Sequence, residues 1–128
     1  MIWLLPLLAE AAEPQLDCEY PQYQQEMNIC AAREFETADA LLNAQWKLTS
    51  EAMKQRDTEW DSSWDERPGY FEQLLAAQRA WIAFRDAHCA SEGYEFRGGS
   101  MEPFMIGTCM TKLTEERTAQ LKDLIAVD

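Results

Sequence analysis

The sequence predicts an all-α fold: a small helical bundle with a long antiparallel helical hairpin and a third helix. Three observations predict it. Apolar residues make up 47% of the 128 residues, enough for one domain with a modest core. Gly and Pro number only 5 each, and no rhythm of short alternating strands between turn residues appears. Three Pro-free stretches carry apolar side chains at three- and four-residue spacing.

The first stretch, residues 22–57, has no Gly or Pro and is rich in Ala, Glu, Gln, Leu and Met. It predicts one helix about 50 Å long. Its apolar stripe holds Ala31, Phe35, Leu42, Trp46, Thr49 and Met53, and Asn28 and Asp39 fall inside it. Residues 58–69 form a connector that Pro68 and Gly69 end. A second helix is expected over 70–91, with Leu74, Ala77, Trp81 and Phe84 on one face. Residues 93–107 contain Gly98-Gly99-Ser100 and Pro103 and are expected to be irregular. The third helix is expected over 108–126, its stripe formed by Met110, Leu113, Leu121 and Leu124. Residues 12–21 form a polar N-terminal strap, so that 22–128 is a single helical domain. Residues 1–11 resemble the end of a secretory signal: an apolar run from Ile2 to Leu8, then Ala9-Glu10-Ala11. The basic n-region is absent, which points to a truncated start, and the run is too short to span a membrane.

The formal charge is −12. That disfavours nucleic acid and anionic membranes as partners and favours a basic protein, or simply solubility. The cysteines stand at 18, 30, 89 and 109 with no CxxC, which argues against a zinc ribbon or a thioredoxin-type site. An even count in a small domain suggests two disulfides and an oxidising compartment. Three pairings are possible; Cys18 with Cys30 and Cys89 with Cys109 close the shortest loops and are expected. Cys18 follows Gln15-Leu16-Asp17, which does not look like a lipoprotein attachment site.

Arg85 is the oddity of the second helix. It lies about 40° from Trp81 on the stripe meant for the core. A cation there needs a buried partner, and Asp39 on the facing stripe is the candidate. The expectation is a structural ion pair that fixes helix register, with Asn28, Asn43 and Gln78 completing a polar core. Arg117 is a second cation that shares Asp39 or meets Glu34. His88 is the single histidine, with no nucleophile or companion ligand at recognisable spacing, and reads as structural. Ser100 follows two glycines without a GxSxG or phosphate-loop pattern. No enzymatic constellation, metal set or cofactor motif emerges.

The connector differs in kind. Asp57, Glu59, Asp61, Asp65 and Glu66 cluster around Trp60 and Trp64. Aromatics mixed with acids in a loop suit recognition of a basic protein. The alternative is that both tryptophans fold back onto the hairpin while the charges are merely solvated.

Several spaced segments resemble the LprI-type lysozyme-inhibitor family. They are Gln25-Glu26-Met27-Asn28-Ile29-Cys30-Ala31, Ala38-Asp39-Ala40-Leu41-Leu42-Asn43 and the run from Ala77 through Gln78, Arg79, Trp81 and Arg85 to Cys89. Gly98-Gly99-Ser100-Met101, Cys109 and Glu116-Arg117-Thr118 complete the series. The resemblance covers about residues 18–124, with Phe84 standing where the family usually has tyrosine. It implies a non-enzymatic bacterial cell-envelope protein, periplasmic or secreted, that inhibits lysozyme. Inhibition would be by occlusion, and an acidic inhibitor would be steered to a basic lysozyme. The motif residues themselves read as core and staples. The competing expectation is a periplasmic structural or interaction module with another envelope partner.

Overall fold

The computed structural model describes residues 16–126. The expected signal segment 1–11 and the first part of the strap lie outside the described residues. Three helices form: α1 (Gln24–Glu59), α2 (Tyr70–Gly93) and α3 (Glu102–Leu124). Single 3-10 turns fill Ser62–Trp64 and Tyr94–Phe96. The all-α bundle is therefore as the sequence predicts.

α1 begins where Glu26 in its first turn reaches back to accept from the Gln22 N–H at 3.1 Å, one residue ahead of the N-cap Tyr23. It ends at Trp60, whose backbone turns extended (φ −89°, ψ 132°). α3 begins six residues earlier than expected, and this corrects the irregular segment 93–107. Pro103 lies in the first turn of the helix, where its missing N–H costs nothing. Only the stretch from Tyr94 to Met101 connects α2 to α3, and Gly98 there takes a left-handed conformation (φ 79°) that favours glycine.

Contacts fix the topology. Asn28 meets Ser100, Thr49 meets Leu121 and Arg56 meets Leu124, so α1 and α3 run parallel. Cys89 bonds to Cys109 and Gln78 meets Arg117, so α2 runs against α3. The expected hairpin of α1 and α2 is present, but it is not the dominant packing. α3 packs far more extensively on α1 than α2 does. Gly107 explains the closeness: a Cβ there would stand 3.1 Å from the Ala31 Cβ. Leu42, Met53, Leu74 and Leu121 form the buried core, flanked by Trp46, Phe71, Trp81 and Ile125.

The disulfides are Cys18–Cys30 and Cys89–Cys109, with Cα separations of 5.6 and 5.4 Å. The first ties the strap to α1; the second joins the end of α2 to α3. The short-loop pairing is the one formed.

Candidate partner-binding surface and polar interior

The connector divides its acids between two tasks. Asp57 sits in the last turn of α1, not in the loop. Its carboxylate accepts from the backbone N–H groups of Tyr70 (2.7 Å) and Phe71 (3.1 Å), the open N-terminus of α2. A carboxylate there meets both orphan donors and the positive end of the helix dipole. Gly69 lets it approach: a Cβ at Gly69 would fall 2.7 Å from Asp57 Oδ1. Asp57 is thus a clamp between helices.

Asp61 accepts from the Ser63 N–H and hydroxyl, and these bonds hold its carboxyl below the usual range. Asp65 is gripped by Arg67 through Nε and Nη2, the shorter contact 2.6 Å. That fork, with the Arg67 N–H, lowers the Asp65 carboxyl to about 2 and raises the Arg67 guanidinium. Glu59 accepts from Gln55 one turn earlier. Glu66 is exposed.

The tryptophans do not fold back together. Trp60 meets Tyr70 edge-on at 6.1 Å and remains half exposed, while Trp64 is 89% exposed at the tip of the connector. An indole of that exposure contributes nothing to the core; its side chain also hydrogen-bonds the Asp61 carboxylate, and an exposed aromatic beside acids is what binding surfaces present. Trp60, Tyr70, Asp65, Arg67 and Gln73 border a cavity of about 360 Å³ under the connector.

The polar interior departs from the expected pairing. Arg85 is 8% exposed, as a core cation should be, yet it does not pair with Asp39. Its Nε donates to Asp86 at 3.1 Å and its Nη1 to the Thr114 hydroxyl at 3.3 Å. Its plane also lies near the rings of Trp81 (4.9 Å) and Phe35 (5.4 Å), so two π faces share the charge. Asp39 is half-buried and makes no hydrogen bond among the described residues. The guanidinium is instead held by Asp86 on its own helix and by Thr114 of α3.

Arg117 likewise meets neither Asp39 nor Glu34. Its Nε donates to Gln78 Oε1 at 2.9 Å and its Nη1 to Gln120. Burial lowers its pKa, and its Nη2 is buried with no hydrogen-bond partner among the described residues. Asn28 joins Gln24 to the Ser100 carbonyl at 2.8 Å, locking α1 to the glycine turn. Asn43 is exposed and belongs to no polar core. Sequence reasoning missed the seam network of Gln45, Thr49 and the Leu121 carbonyl, with bonds of 3.1 and 2.9 Å. Two threonines, Thr49 and Thr114, are fully buried; Thr49 on the stripe was the available signal. His88 stacks on Phe84 at 5.2 Å and contacts Glu92 at 3.2 Å. Both reach toward Cys109, whose sulfur is already committed to its disulfide and cannot act as a thiolate ligand.

The family model described as "Lysozyme inhibitor LprI" matches residues 17–121. The chain belongs to the LprI lysozyme-inhibitor family. It is also similar to an uncharacterized protein of Rhizobium meliloti, 43% identical over 117 residues, covering 91% of this chain and 84% of that protein. No solved structure matches. LprI-family membership and two disulfides are the marks of an extracytoplasmic protein. Among the described residues no helix is long and apolar enough to cross a membrane.

Proposed function

We propose that this LprI-family protein is a periplasmic inhibitor of basic lysozymes that acts by occlusion, with the connector as its contact surface. The observation that carries the reading is Trp64, 89% exposed on a connector rich in acids. Family membership supplies the target class. The net charge of −12 supplies the steering toward a cationic partner. Trp64 supplies a rigid anchor able to enter a groove, and such anchors dominate the energy of an interface. Glu66 serves as a rim charge that accelerates encounter. Asp61 and Asp65 shape the loop through Ser63 and Arg67. Inhibition requires no bond-making by this chain.

The test is a cell-wall turbidity assay with the oxidised protein, run against a basic and an acidic lysozyme in parallel. The basic enzyme should be inhibited, and inhibition should weaken as salt rises. Trp64→Ala should raise the dissociation rate, whereas Glu66→Gln should slow association. Both variants should melt where the parent does, because neither side chain packs on the core. Absence of binding to either lysozyme at about 10 μM overturns the target. Full inhibition by both variants moves the contact surface away from the connector.

A further inference from the structure

α1 and α2 touch least of the three helix pairs, and a cleft of about 270 Å³ opens between them. Asp39 and Asn43 line it from α1, Gln78, Arg79 and Arg85 from α2. Leu42, Leu75 and Trp46 give it an apolar wall.

The polar groups of this cleft are prepared and left unjoined. Arg85 is held in place by Asp86, Thr114 and two aromatic rings, and these partners leave its Nη2 without a hydrogen bond among the described residues. Gln78 commits its Oε1 to Arg117, so its amide N–H₂ is free to donate. Asp39 shares the same cleft with Arg85, yet the two form no ion pair. A carboxylate from α1 therefore shares one cleft with a guanidinium and an amide donor from α2, beside apolar side chains. A cavity just below the drug-sized range admits a small molecule rather than a polymer. The molecule that satisfies both walls carries an anion and a cation a short distance apart, with an apolar tail.

We propose that the α1/α2 cleft binds a free apolar α-amino acid. Its carboxylate is received by Arg85 and the Gln78 amide, its ammonium by Asp39, and its side chain by Leu42 and Leu75. Arginine's planar fork suits the carboxylate. Asp39 distinguishes an amino acid from a simple fatty acid of the same shape.

Two-dimensional amide NMR with three probes tests this: leucine, 4-methylpentanoate, which lacks the ammonium, and 3-methylbutylamine, which lacks the carboxylate. Leucine should give saturable shifts confined to 39–46 and 75–85, and should bind more tightly than either analogue. Asp39→Asn should weaken leucine about tenfold and leave 4-methylpentanoate unchanged. Arg85→Lys should weaken both acids, with the spectrum itself reporting that the variant is folded. Asp39 is half-buried and unbonded, so Asp39→Asn decides the matter even if Arg85→Lys does not fold. No saturable shift with leucine up to about 10 mM overturns the proposal. Equal weakening of leucine and 4-methylpentanoate by Asp39→Asn, or shifts elsewhere in the bundle, overturns it as well. The experiment contains no lysozyme, so its outcome is separate from that of the inhibition assay.

Discussion

α1 faces its two neighbours in opposite ways. Against α3 it presents small and hydroxylated residues: Ala31 beneath Gly107, and Thr49 bonded to the Leu121 carbonyl. Against α2 it is joined at the connector end by the Asp57 clamp and the Trp46–Phe71 contact at 6.4 Å, and further along by the Phe35 ring near Arg85. Further along, the α1/α2 face opens into a cleft whose charges do not meet. Side-chain size accounts for the difference. Small residues let two helix backbones approach and satisfy polar groups directly, whereas the larger Trp46, Gln78 and Arg85 line the α1/α2 cleft. A tight seam supplies stability, and an open face remains available for binding.

Four substitutions probe that contrast. Gly107→Leu should be the most damaging, because its side chain must fit where a Cβ alone would lie 3.1 Å from Ala31. Overpacking of this kind costs about 3 kcal/mol, measurable by denaturant unfolding. A neutral result would mean that α1 and α3 can separate without loss. Asp57→Ala should cost about 1–2 kcal/mol, the usual range for a lost helix cap, and should raise amide exchange in the first turn of α2. Thr49→Val keeps the shape of the seam but removes the bond to Leu121, at a cost of about 1 kcal/mol. Asp39→Ala should shift stability least, within about 0.5 kcal/mol, because it breaks no bond in the folded protein. A loss of about 3 kcal/mol at Asp39 would instead restore a buried ion pair with Arg85 in solution.

The Asp39 case shows where legibility stopped. Helical periodicity placed Asp39 and Arg85 on facing stripes, and both do line the cleft between α1 and α2. A wheel angle carries no information about how far apart two axes stand, or about a third helix that supplies another partner. Thr114 lies 29 residues beyond Arg85, yet it takes the guanidinium. Asp57 was readable as an acid near the connector, but its capping role depends on α2 starting within reach of it. Pattern alone makes Pro103 a loop residue, because proline ends helices. The same ring also suits a first turn, and only the start of α3 at Glu102 distinguishes the two. At the connector, sequence pattern groups Trp60 with Trp64; the structure separates them, one leaning on Tyr70 and the other exposed beside Asp61.

The sequence by itself determined the helical class, the three helices, the pairing of the cysteines and the family. These follow from short-range causes: side-chain periodicity, the absence of breakers, and the low entropy cost of closing the shortest loops. Tertiary structure alone decided that α3 rather than α2 is the main partner of α1, that Thr114 and two aromatic rings hold Arg85, and that Asp57 serves α2 instead of solvent. Those outcomes depend on the distance between helix axes, which the volumes of residues far apart in the chain, such as Ala31 and Gly107, set only when they meet.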